Sequence, residues 1–285
     1  AMHACGHDIH MGSILATGIQ LKEIEDELNG RVRLIFQPAE ELGHGAFEII
    51  NTGVLKGAKA VLGFHNYPTL KVGEFAIKSG AITYAVDRFE FNVKGKGAHA
   101  AKPEQGNDPV IVVGQLINSL QTIVSRNLSA FDSAVVTIGE ISCGNTWNVI
   151  ADKAYIQGTV RSFDEDIRHY IENRMKNIAD GLSRVFNVDI DLTYSRLPGA
   201  VVNDAHLTQE AIEVAKNVGY HVSMLDEPVT IGEDFSGYTE EYPGVFAFIG
   251  SDSKYDLHHP KYHPDERILE KVPQYFVQLV QRLLT

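Results

Sequence analysis

Residues 88–94 read RFEFNVK and alternate at every position. Phe89, Phe91 and Val93 fall on one side and Arg88, Glu90, Asn92 and Lys94 on the other, the period-two pattern of a strand with one buried face. A helical pattern follows from about 109 to 126. Residues 133–141 (SAVVTIGEI) and 153–161 (KAYIQGTVR) then read as strands, 164–185 as a charged helix, and 188–194 (VDIDLTY) as a last strand. The order β-α-β-β-α-β suits a compact antiparallel, ferredoxin-like sheet with two helices on one face. The flanks have a different texture. Residues 11–28 predict a helix with Ile14, Leu15, Ile19, Leu21 and Ile24 inward and Asp8 as its N-cap. RVRLIF (31–36) and AVLGFH (60–65) read as strands around a short helix near 46–51. After Asn203 come a helix to Val218, a strand at VFAFIG (245–250) and a helix over 266–284. The expected fold class is therefore α/β, with residues 80–196 inserted into a discontinuous outer domain formed by 1–79 and 197–285.

Bulk properties narrow the function. The 285 residues carry 37 acidic against 25 basic side chains, a formal net charge of -12, with no basic stripe, which argues against a nucleic-acid partner and for a small molecule. The only two cysteines, Cys5 and Cys143, imply no disulfide framework. No apolar run reaches the length of a membrane span and no signal peptide opens the sequence, so a cytoplasmic protein without membrane contact is expected. Ala1 ahead of Met2 reads as an appended residue.

Chemistry-bearing residues gather at a few places. MHACGHD (2–8) offers a thiol and an imidazole one residue apart, Cys5 and His7, which in a turning loop can face one centre. His3, His7 and His10 share a helical face, so a histidine-only set is the rival reading. Thiolate and imidazole suit a borderline divalent metal. Glu40 and Glu41 follow the 31–36 stretch, beyond Gln37-Pro38-Ala39, where one carboxylate can bind metal while its neighbour faces substrate. His65 ends the next strand, and His258-His259 stands in a loop before the last helix. Ligands of open α/β sheets collect at such strand ends.

Together MHACGHD, FQPAEE (36–41), GFHNYP (63–68), GKGAHAAKP (95–103), NVI (148–150) with GTVR (158–161), GEDFS (232–236) and LHHPKYHPDE (257–266) resemble the M20 metallopeptidase family. The branch they are most similar to is the amidohydrolases of N-acyl amino acids, such as hippurate and auxin-conjugate hydrolases. The resemblance implies an α/β zinc-peptidase-like catalytic domain with an inserted lid and dimerisation domain. It implies two divalent ions, Mn²⁺ or Zn²⁺, held by Cys5, His7, Glu41, His65 and His258, with Cys5 shared. His258 rather than His259 is the implied ligand, because it directly follows the motif's leucine. Glu40 would be the general base and His99 would polarise the scissile carbonyl, in many members across a homodimer. Asn148, Arg161 and Gly232 would contact substrate, Arg161 through the free carboxylate.

The family pattern also implies a segment ahead of MHACGHD, with early strands, a helix and a DxDALP-like motif. This sequence contains none of it, so the outer sheet is expected to present an open edge and an apolar face that favour association. Two readings stand beside the amidohydrolase: a small-peptide peptidase of the same family, and a metal-binding protein impaired in catalysis. A cysteine-nucleophile hydrolase would leave Glu40, Glu41 and His258 without a role.

Overall fold

The computed structural model describes residues 2–284. The chain divides into two compact units, the first made of residues 1–82, 201–229 and 234–285, the second of 83–200 with 230–233.

The second unit is built around the alternating stretch. Strands Ala134–Cys143, Lys153–Ser162, Ala85–Lys94 and Asp189–Arg196 lie in that order in one sheet, every neighbouring pair antiparallel. Phe89, Phe91 and Val93 are fully buried beneath helices Pro109–Thr122 and Glu165–Phe186, against Leu116, Leu120, Ile171 and Met175. Asp108 and Asp164 cap these helices by accepting from the backbone N–H of Val110 and Ile167. The first helix ends at Thr122 and continues as a wider turn to Asn127. One buried ion pair ties a strand to a helix: Arg168 Nε donates to both oxygens of Asp87 at 3.0 and 2.9 Å, and Tyr194 adds its hydroxyl at 2.8 Å.

In the first unit, strand Gly244–Gly250 is buried at every residue and sits inside a four-stranded sheet. It runs parallel to Val61–Tyr67 and antiparallel to Glu74–Ile77, which pairs in parallel with His221–Met224. A strand covered on both faces reads as a continuous apolar run, as GVFAFIG does. Helices His7–Glu23 and Ala205–Asn217 both pack on Ile268–Leu284. Among the described residues no helix is long and apolar enough to cross a membrane.

Three expectations for the amino-terminal region are corrected. The first helix starts at His7 and ends at Glu23, and Gly6, in the left-handed region at φ 79°, takes the N-cap position. Asp8 lies in the first turn instead, where His3 Nδ1 holds its carboxylate at 3.0 Å. The buried face of that helix is Ile9, Ser13, Thr17 and Leu21, a row of i, i+4 steps. Leu15 and Ile19, expected inward, are 57% and 58% exposed, whereas Leu21 is buried as expected. Finally, residues 31–36 belong to no strand or ladder, with Val32, Leu34 and Phe36 exposed. Alternation selects an extended backbone, whereas a strand also needs a hydrogen-bonded neighbour, and among the described residues this stretch has none.

Leu15→Lys should therefore leave the melting midpoint nearly unchanged, within about 0.5 kcal/mol for an exposed site. Leu21→Ala should cost about 2–5 kcal/mol in urea unfolding. The reverse ranking would contradict the observed orientation of the helix.

Candidate metal centre

Four separate stretches of the first unit meet at one point. The loop before the first helix brings Cys5, the helix's opening residue brings His7, the strand Val61–Tyr67 brings His65, and the loops at 40–41 and 258 bring Glu40, Glu41 and His258. One ligand atom each from Cys5, His7 and His65 lies within 4.8 Å of the other two. The same holds for Cys5, Glu41 and His258. Cys5 is common to both triads. Its Sγ is 2.9 Å from His258 Nε2, which is 3.4 Å from Glu41 Oε2. His7 Nε2 lies 3.4 Å from Glu40 Oε2 and 3.9 Å from Glu41 Oε1. His259 stands apart, stacked on Tyr255 at 4.4 Å.

The backbone bends sharply to make this meeting. Ala4, Ala39 and His258 are three of the five non-glycine residues with left-handed φ among the described residues, at 55°, 62° and 63°. Such geometry costs about 1–3 kcal/mol per residue and gathers at functional sites. Cross-links hold it: His258 N–H donates to Ala4 O at 2.9 Å, which locks the carboxy-terminal loop onto the amino-terminal one. Below the Glu40–Leu42 turn, Gln37 Nε2 donates to both oxygens of buried Asp234 at 2.9 and 2.8 Å, and Tyr238 donates to Gln37 Oε1 at 2.7 Å. Asp234 also accepts from Ala46 N–H at 3.0 Å, so it caps the helix Gly45–Asn51 rather than the helix that follows it in sequence.

Residues 1–282 match the model of peptidase family M20/M25/M40. The chain belongs to peptidase family M20/M25/M40. Over 283 residues it is 43% identical to the N-acetyl-L-cysteine deacetylase of Bacillus subtilis, covering 99% of this chain and 68% of that protein. It is 34% identical to the N-acetyldiaminopimelate deacetylase of Bacillus cytotoxicus, covering 98% of this chain and 74% of that one. Among solved structures it resembles a dinuclear metal-binding M20 peptidase of Bacillus subtilis, with a TM-score of 0.86 and 37% identity over 99% of this chain and 73% of the other. The fold is accordingly the M20 peptidase fold.

The remaining residues singled out in the sequence lie in the second unit of this M20 chain. His99 and Asn148 share a two-stranded ribbon, Ala98–His99 against Val149–Ile150, in which Ala100 N–H donates to Asn148 O at 3.1 Å. Arg161 pairs with Val86 across the sheet and donates to Val160 O at 3.0 Å. Gly232 approaches Val86 so closely that a Cβ there would meet its Cγ2 at 2.9 Å. Asn66 and the anchoring role of Asp234 carry no sequence signal of their own, and His10 stands out in the sequence only as a member of the histidine-only set. His10 Nε2 instead accepts from Asn66 N–H and Nδ2 at 3.0 and 2.9 Å. Its shared helical face with His7 was the available signal.

Burial dominates the electrostatics of this cluster. Burial, then the nearby Asp234 and Glu41, raise Glu40 to about 7. Burial depresses His65 to about 4, and burial with the His65 and His7 imidazoles holds His10 well below its ordinary value. His65 Nδ1 donates to Asn66 O at 2.6 Å, which leaves Nε2 as the lone pair available to a ligand. In metal-free protein the signs follow from linkage. Each depressed histidine contributes stability that is complete above about pH 6.5 and lost as the pH falls toward its folded value. The raised Glu40 acts oppositely, contributing stability that is lost as the pH rises toward 7. Two histidines against one glutamate leave a melting temperature that falls from pH 6.5 to 5, more steeply in Glu40→Gln. A melting temperature that climbs over this range would contradict the assignment.

Proposed function

We propose that this chain is a metal-dependent amidohydrolase that cleaves the amide bond of N-acyl amino acids, with N-acetyl amino acids as the substrate class. The observation that carries the reading is the pair of ligand triads sharing Cys5, with Glu40 at their rim. Five side chains with one thiol, three imidazoles and one carboxylate form a donor set that fits two borderline divalent ions, Mn²⁺ or Zn²⁺, and the thiol favours the softer of the two. Cys5 and His258 face each other at 2.9 Å and Glu41 completes their triad, so the set fits without rearranging the fold. The deacetylase names of the relatives and the dinuclear description of the solved peptidase support the same reading.

When bound, the two ions supply Lewis acidity toward the amide carbonyl and the attacking water. The chain supplies the rest. Glu40, at the edge of the ligand set and not needed by either triad, takes the proton of the attacking water on a carboxylate oxygen. It then delivers that proton to the leaving amine nitrogen. His99 donates to the oxygen that gains charge on the reacting carbon. Arg161 receives the substrate carboxylate, with Asn148 and Gly232 lining the approach. The second unit serves as dimerisation domain, pairing with a second copy through the outer edge of Ala134–Cys143. That strand's far side has no partner among the described residues, and its Val135 and Ile141 are exposed. A reducing cytoplasm suits the Cys5 thiol, which is in no disulfide.

With an N-acetyl amino acid as substrate, chelation should abolish turnover and Mn²⁺ or Zn²⁺ should restore it. Glu40→Gln should lower kcat by about 10²–10⁴-fold with little change in KM. Turnover that resists chelator, or an active Glu40→Gln, would sink the reading. Arg161→Ala should raise KM for the free acid by about 10–100-fold, the worth of a charge-assisted hydrogen bond, while leaving the α-amide of the same substrate unaffected. An equal loss on both would remove Arg161 from the carboxylate role.

A further inference from the structure

One fully buried polar side chain touches every stretch that carries a candidate ligand on the sheet side of the centre. Asn66 directly follows His65 and has no exposed surface. Its Nδ2 donates to Cys5 O at 2.6 Å and to His10 Nε2 at 2.9 Å, and its own N–H donates to that same nitrogen at 3.0 Å. Its Oδ1 accepts from Ser251 Oγ at 3.1 Å and from the Tyr262 hydroxyl. Ser251 and Tyr262 are themselves buried and 3.1 Å apart. Asn66 O receives the His65 Nδ1 proton. Gly6 leaves room for this hub: a Cβ there would lie 2.6 Å from Asn66 Nδ2, and its φ of 79° is one that side chains resist.

Every donor and acceptor on the amide is therefore used, and the orientation is fixed by the partners. Ser251 and Tyr262 can each give a proton to Oδ1, whereas Cys5 O, and His10 Nε2, which already accepts from Asn66 N–H, accept from Nδ2. A flipped or substituted amide would set like against like in a buried site, which costs more than a neutral loss of contact.

We propose that Asn66 is a positioning residue that holds the Cys5 loop against the strand end bearing His65, with His10 as its acceptor and Tyr262 and Ser251 as its orienting donors. The role rests on the metal-site reading above only in what it positions. The hub acts on the chain itself with or without ions.

The test uses the full chain in a Cys143→Ser background, so that Cys5 is the only thiol. In metal-free protein the alkylation rate of Cys5 by iodoacetamide reports how firmly its loop is held. Added Co²⁺ reports thiolate coordination through its charge-transfer band. Asn66→Asp keeps the shape and removes the two Nδ2 donors, and should speed alkylation at least tenfold and weaken Co²⁺ binding about 10–100-fold, the usual effect of losing an outer partner of a ligand. Tyr262→Phe removes one orienting hydroxyl and should shift both readings several-fold in the same direction. It carries the test if Asn66→Asp does not fold. Leu15→Lys, remote from the hub, should shift neither.

Wild-type alkylation rates and Co²⁺ affinities in both hub variants would overturn the proposal. Faster alkylation in the variants of a wild type that gives no thiolate–cobalt band would uphold the role of Asn66 and overturn the metal assignment of Cys5 instead.

Discussion

The first unit depends on a single constraint: side chains from four distant stretches must meet beside one sulfur. Cys5 and His258 are separated by 253 positions, yet their side chains lie 2.9 Å apart. The backbone reaches this arrangement only by entering the left-handed region at Ala4, Gly6, Ala39 and His258. Three of these are not glycine and carry a cost of about 1–3 kcal/mol each. The bond from His258 N–H to Ala4 O and the buried amide of Asn66 bind the strained loops to one another and to the sheet, so relaxing one would disturb all of them.

The sheet provides the rigid side of this arrangement. Gly244–Gly250, buried throughout, fixes the neighbouring parallel strand whose end carries His65. Asp234 performs the equivalent task for the acidic turn, gripping Gln37 and the start of the helix Gly45–Asn51 on either side of Glu40 and Glu41. The cost of the arrangement is electrostatic. Glu40 is raised because burial, Asp234 and Glu41 all oppose its charge, and the imidazoles at 10 and 65 stay neutral because burial opposes theirs.

Much of the fold was legible because its signals are local. RFEFNVK and KAYIQGTVR alternate, and the strands Ala85–Lys94 and Lys153–Ser162 pair along their whole length. The four-residue strands Glu74–Ile77 and His221–Met224 were missed, since EFAI and HVSM are too short to show a period. The buried face of the first helix was only partly legible, because it uses the small polar Ser13 and Thr17 beside Ile9 and Leu21 while the greasier Leu15 and Ile19 stay outside. At the site, spacing and strand ends pointed to Cys5, His7, the acidic pair and His65. What no spacing reveals is a partner that acts through hydrogen bonds, such as Asn66 with His10, or Asp234 with Gln37. Those roles exist only once the chain has brought distant segments together.

The central claim is that one sulfur serves both triads, and metal stoichiometry tests it most directly. Equilibrium dialysis followed by elemental analysis should find two equivalents of Mn²⁺ or Zn²⁺ in the wild-type chain. His7→Ala belongs to one Cys5 triad only and should retain one equivalent, whereas Cys5→Ala should retain neither at the same free-ion concentration. A Cys5→Ala protein that keeps one ion at wild-type affinity would contradict the account.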